Sequence, residues 1–370
     1  MYESGKSKRL KEIDVLRVIA FIFVVEQHSM GGYSNIKGIS YSYFKIFKFV
    51  YTMAKPAAAA FFCISAITLL KSYSEKFDCK IYYTKRIKKI ILPYMIWSII
   101  FIFRYGKYEG FTNLFGQILS GNAYYHLWYM GMIMRIYLYL PIILFIANNI
   151  HNKKMGLRVL TFLTLIIGYY YISKYQNVIS NKCIQTIFTN PTKVQRKFIN
   201  VSPLFWYLYF VIGIYIGLNY ESFKKNISKI KIPVTLIYIS LLIYAYLNEI
   251  KIIKYNRCLG LLYFVFSILF WYVISLYLSN KVRIYSLFNF IGRYSFAGYI
   301  IHVPVIQRIA SILMGTFHLT NWLVIGLLTW VSTSLVAPLL VKLISYIPYS
   351  ELITGIKSVS KKNKNVDVSI

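Results

Sequence analysis

Stretches of apolar residues long enough, or nearly long enough, to cross a lipid bilayer recur along this chain with short polar segments between them. That alternation limits the fold more than any other feature. The runs begin near Leu16, Tyr51, Ile90, Leu127, Val159, Ser202, Ile232, Cys258, Phe290 and Asn321. A bilayer demands about 20 apolar residues of a crossing helix, so the pattern predicts an all-α, polytopic protein of about ten transmembrane helices in the cell membrane. The runs near Ile90 and Val159 are short, and flanking Tyr and Arg side chains lengthen such runs by reaching the interface.

Charge then sets the topology. A formal net charge of +32 would suggest a nucleic-acid partner in a soluble protein. Here 58% of residues are hydrophobic, and Lys and Arg gather between the apolar runs, so nucleic acid is set aside. The basic segments 6–11, 76–89, 153–158, 224–231, 281–293 and 357–364 alternate with less basic ones, which predicts both termini in the cytoplasm. The segment 173–201 runs against this pattern, with Lys174, Lys182, Lys193, Arg196 and Lys197 on the outer side, where it is placed to touch an external acceptor.

The basic N-terminus leads into an apolar stretch that holds Arg17, Glu26 and His28 and lacks a small-residue cleavage site, so it reads as a retained first helix. Residues 1–350 are expected to form one integral membrane domain, and residues 351–370 a basic, disordered cytoplasmic tail. Cys63, Cys79, Cys183 and Cys258 show no CxxC or Cys/His spacing, so neither a metal site nor a disulfide framework is expected.

The first helix carries the densest chemistry. Asp14, Arg17 and His28 fall at intervals of 3 and 11 residues, and at 3.6 residues per turn they share one face, with Arg17 and His28 roughly 16 Å apart along the axis. A phosphate-bearing donor entering from the cytosol meets the permanently charged Arg17 first. Its reactive end then reaches His28, a base with an unperturbed pKa near ~6.5. The structural alternative is an arginine that snorkels to headgroups and a histidine that packs between helices. Glu26, nine residues from Arg17, points to roughly the opposite face and needs another partner.

Several segments carry a resemblance. DVLRVIAFIFVVEQHS (14–29) resembles the opening of the acyltransferase-3 family of membrane acyltransferases, whose signature is Arg, ten residues, His; Arg17 and His28 match it. FFCIS (61–65) resembles the family's second-helix motif, with Ala66 where glycine is expected and the proline displaced to Pro56. KRIKKIILPY (85–94) resembles its Arg-x-x-Arg followed by proline, with Lys89 for the second arginine, a change that keeps charge and loses the bidentate fork. YHLWYMGMIMRIYLYLP (125–141) resembles its His-x-Trp motif, and IGRYSFAGYIIH (291–302) its late Gly-x-x-Ser motif followed by a helical His.

These matches come in the family's order, and the closest likeness is to stand-alone O-acetyltransferases of surface polysaccharides. The resemblance implies an O-acyltransferase that moves an acyl group, most often acetyl, from acyl-CoA as co-substrate to a hydroxyl of a cell-surface polysaccharide or lipid-linked sugar, without a metal. It implies His28, Arg17 and Asp14 as catalytic residues and Arg17, Arg86 and Lys89 as the acyl-CoA site. Ser65, His126, Trp128, Ser295 and His302 are implied on the substrate side. Expected partners are acyl-CoA, the glycan or lipid-linked acceptor, membrane lipids and polysaccharide-synthesis machinery.

Direct transfer with His28 as general base and transfer through an acyl-histidine both fit the residues. His151 and His318 are expected in loops without a role. A secondary transporter or flippase is the rival reading, although neither an internal repeat nor paired broken helices are visible. An inactive scaffold of a polysaccharide synthase is another, prompted by Ala66 and Lys89.

Overall fold

The computed structural model describes residues 9–36, 38–73 and 77–358. The first residues of the basic N-terminal segment, Lys76 and the tail from residue 359 onward lie outside the described residues. Among the described residues there is no β-strand. In chain order come α1 (Lys11–His28), α2 (Tyr41–Ala54), α3 (Ala57–Tyr73), α4 (Cys79–Arg86) and α5 (Leu92–Arg104). Then follow α6 (Glu109–Thr112), α7 (Leu114–Ser120), α8 (Trp128–His151), α9 (Met155–Lys174), α10 (Gln176–Ile187) and α11 (Lys193–Asn200). The rest are α12 (Tyr207–Leu218), α13 (Tyr220–Lys229), α14 (Lys231–Glu249), α15 (Arg257–Ser279), α16 (Val282–Gly315), α17 (Trp322–Ile344) and α18 (Glu351–Thr354).

Every expected apolar run coincides with a helix, and among the described residues 8 helical spans are long and apolar enough to cross a membrane. The runs near Leu16 and Ile90 are the exceptions, each for a physical reason. The first, α1, holds Lys11, Glu12, Asp14, Arg17 and Glu26 within 18 residues. The second is broken into α4, a π-helical turn at Ile87–Ile91 and α5. This is a multi-pass integral membrane protein, and helix is the form that satisfies backbone N–H and C=O groups within hydrocarbon.

The chain divides into two compact units, Met1–Ser65 with Asn219–Lys342, and Ala66–Leu218 with Leu343–Ile370. In the first, α1 is the central element. Ile13, Val15, Leu16, Val18, Phe21 and Val25 are all buried. Phe23 packs edge-on to Trp271 of α15 at 4.9 Å, Gln27 donates to the Ala54 carbonyl at the end of α2, and Trp330 of α17 donates to the Ile22 carbonyl. Against α16 the approach is close, because a Cβ at Gly292 would stand 3.2 Å from Val18 Cγ2 and one at Gly298 would stand 3.5 Å from Phe21 Cζ. Small residues serve this purpose in bilayers, where apolar lipid leaves packing and hydrogen bonds to hold helices together.

In the second unit, Pro93 leaves the Lys89 carbonyl without its helical donor, and the wide turn at Ile87–Ile91 absorbs the change. Gly355, just past α18, sits on that carbonyl so closely that a Cβ would fall 2.1 Å from the oxygen. Trp97 of α5 also donates to the Ile353 carbonyl, so α18 and α5 are tied together. The start of the expected tail is therefore helical and packed.

Candidate active site

The sequence places Asp14, Arg17 and His28 on one helix face, and α1 carries all three. At its N-terminal end Asp14 accepts from Arg9 at 2.6 Å and from Arg17 at 3.1 Å. Arg9 also donates to Asn289 of α16 at 2.5 Å. Two guanidinium groups share one carboxylate, so the cluster keeps a net positive charge, and the half-buried Arg17 is held by its ion pair rather than left to wander. A bound, oriented guanidinium suits a phosphate better than a mobile one.

At the other end His28 is the last residue of α1 and meets His302 of α16, with ring centroids 5.2 Å apart and planes inclined at 47°. The same number of residues separates Val18 from His28 as separates Gly292 from His302. The two helices therefore run in the same direction in one register, and the glycine contact lower down sets the histidine contact higher up. His302 is fully buried. Its Nδ1 lies against the Tyr299 carbonyl, an oxygen that can only accept, so Nδ1 is the donor there. Ser295, seven residues earlier on the same helix, is buried and donates to the Gly292 carbonyl at 3.0 Å. Its hydroxyl is thus spent within the helix. Ser65 is half-buried on α3.

Glu26 needed a partner and found an unusual setting. It is 0% exposed, and neither carboxylate oxygen has a hydrogen bond of good geometry among the described residues. It faces Gly31, where a Cβ would come within 3.1 Å of Glu26 Oε1 and 2.8 Å of Tyr51 Cδ2. Only a residue without a side chain lets the turn after α1 close over this carboxyl.

The remaining expected site residues belong to the second unit. Arg86 is half-buried between the rings of Tyr82 and Tyr137, 5.4 Å from each, while Lys89 is exposed on the wide turn. His126, 1% exposed, lies edge-on to Phe101 and Tyr124 at 5.6 and 5.5 Å. Its position depends on two glycines. Gly121 has φ +64°, and a Cβ on Gly131 would strike the Gly121 nitrogen at 2.5 Å. Trp128 packs on Trp206 at 5.4 Å. His151 closes α8 instead of sitting in a loop.

Two buried ions escaped the sequence reading. Glu12 accepts from Lys224 at 2.6 Å and from the Tyr220 hydroxyl at 2.9 Å, pinning α13 to α1. Arg135 of α8 donates to the carbonyls of Gly131, Phe198 and Val201, and so caps the end of α11. The available signal was an arginine inside an apolar run, which marks a specific partner.

A family model described as an acyltransferase domain matches residues 10–341. Comparisons with curated proteins and with solved structures give no match.

Proposed function

Since the chain belongs to that family of membrane acyltransferases, we propose that it is an O-acyltransferase, moving acetyl in the first instance from acyl-CoA to a hydroxyl of a cell-surface polysaccharide or lipid-linked sugar. The observation that carries this reading is the His28–His302 pair at one end of α1 with the Asp14–Arg17–Arg9 cluster at the other. One helix thus presents an anion-binding end and a basic end on a single face.

In the proposed reaction the phosphates of acyl-CoA are held by Arg17; Arg86 and Lys89 are assigned to the acyl-CoA side on the family resemblance alone. His28 takes the proton from the acceptor hydroxyl. The hydroxyl oxygen attacks the thioester carbonyl, the C–S bond breaks, and the departing thiolate takes the proton back from the His28 imidazolium. The products are an ester and free CoA, and no oxidant or metal enters. General-base assistance of this kind contributes about 10²- to 10⁴-fold in rate. His302, with Nδ1 committed to a carbonyl and its ring centroid 5.2 Å from that of His28, positions His28 or the acceptor. Ser65, Ser295, His126 and Trp128 are assigned to the acceptor side on the family resemblance, with Ser295 acting through its place in α16.

Protein purified into lipid nanodiscs and supplied with labelled acetyl-CoA tests this directly. Release of free CoA should depend on added acceptor and fall by about 10²- to 10⁴-fold in His28→Ala. Turnover that survives this substitution removes His28 from the chemistry, and absence of turnover with every acyl-CoA favours a transporter or a scaffold.

A further inference from the structure

Within the second unit, the turn after α5 and the helix α11 bring together charges that the proposed chemistry does not use. α5 ends in a Schellman turn: Gly106, at φ +64°, donates to the Phe103 carbonyl, and Lys107 donates to the Ile102 carbonyl at 2.9 Å. The turn sets the Lys107 Nζ 5.4 Å from the centre of the Tyr124 ring. Tyr124 is stacked on Tyr105 at 4.3 Å and on Phe101 at 5.3 Å. Tyr125, 50% exposed, lies 4.9 Å from Tyr124 and 5.8 Å from His126.

α11 supplies the second cation. A capping box between Thr192 and Gln195 starts the helix, and Arg135 holds its far end through the Phe198 and Val201 carbonyls. Between these two anchors Lys197 is half-buried, close enough to Lys107 for the two charges to repel. Among the described residues neither lysine is ion-paired with a carboxylate. Glu109, two residues from Lys107, is exposed and pairs with neither. The segment 173–201 holds five basic residues and no Asp or Glu, so the chain itself supplies no counter-ion there.

Two like charges fixed side by side call for an anion from outside the chain. The exposed Tyr125 ring beside them suits the apolar face of a sugar, which a phospholipid headgroup lacks. We propose that this patch recognises an anionic glycan as the acceptor, with a carboxylate or phosphate of the repeat unit held between Lys107 and Lys197 and the adjoining sugar stacked on Tyr125. This deepens the acyl-transfer reading, on which it rests for the word acceptor. It also gives a reason for the basic segment 173–201 on the predicted outer side, against the usual distribution of Lys and Arg.

The test is equilibrium binding to protein in phosphatidylcholine nanodiscs, without acyl-CoA. The probe is the cells' own surface glycan, fluorescently labelled and split on an anion exchanger into retained and unretained fractions. The retained fraction should bind at least tenfold more tightly, and added salt should weaken it. Lys107→Gln and, independently on α11, Lys197→Gln should each weaken that binding by about tenfold, the loss expected for one charged hydrogen-bonding partner. Neither should lower the melting temperature, because each removes a repulsion. Equal binding of the two fractions, or binding that both substitutions leave intact, overturns the proposal. So does the loss of bound phosphatidylglycerol from both variants, when that lipid is supplied, with glycan binding unchanged, since the patch would then belong to lipid. Selective binding by a protein that turns over no acyl-CoA supports the patch and counts only against the acyl-transfer reading.

Discussion

Arg17 is where residue chemistry is most sharply defined, because a lysine there keeps the charge and loses the two-pronged contact. Arg17→Lys is expected to raise KM for acyl-CoA by about tenfold with kcat largely retained, and Arg17→Ala to raise it further, as steady-state kinetics would show. A change confined to kcat would move Arg17 from binding to chemistry. Glu26 gives a second prediction. Its carboxyl is buried without good hydrogen bonds among the described residues, so Glu26→Gln, which keeps the shape and removes the ionisable group, should leave thermal stability equal or higher. A melting temperature several degrees lower would mean that the ionised carboxylate has a stabilising role. Of these residues, periodicity along one helix already groups Asp14, Arg17 and His28. The ties from Glu12 to Lys224 and from Arg135 to Phe198 and Val201 are illegible in the sequence, because the partners are set by tertiary packing far along the chain.

Helices act here as rulers. The pairing of α1 with α16 transmits the Gly292 contact at Val18 into the His28–His302 contact, because both helices rise by the same amount per residue. Gly292→Val would force the helices apart where a Cβ already stands at 3.2 Å from Val18. The expected cost is about 1 to 3 kcal/mol in stability, with a larger fractional loss of acyl transfer than of folded protein. Activity that tracks the folded fraction alone would contradict the ruler. Gly355 makes the same kind of argument in the second unit, with φ +70° and the Lys89 carbonyl in the path of any side chain. Gly355→Ala should destabilise by about 1 to 3 kcal/mol, read as a lower melting temperature. The sequence shows each helix through its hydrophobic run, and the His302 face through its spacing from Ser295. Direction and register of pairing are absent from it, because a run of apolar residues fits many neighbours equally well.

The whole molecule is a membrane acyltransferase by family and by its apolar helices. The basic segments predict its orientation, and two exposed thiols test that prediction: Cys79 at the start of α4 and Cys258 at the start of α15. With cytoplasmic termini, a membrane-impermeant maleimide should label Cys258 in intact cells and Cys79 only after permeabilisation; the reverse pattern would invert the topology. Run lengths made the membrane class legible, while the Lys224 ion pair that lets α1 carry Glu12 and the packing of Gly355 on the Lys89 carbonyl at the wide turn before α5 were not, because those partners lie far along the chain. On the proposed mechanism, His28 drives ester formation on a surface glycan. Its most direct test is mass spectrometry of surface glycans from cells with the intact protein, without it, and with stably expressed His28→Ala. Acyl esters are expected in the first and should be lost from both others; esters that persist in His28→Ala while vanishing on deletion would remove His28 from the chemistry.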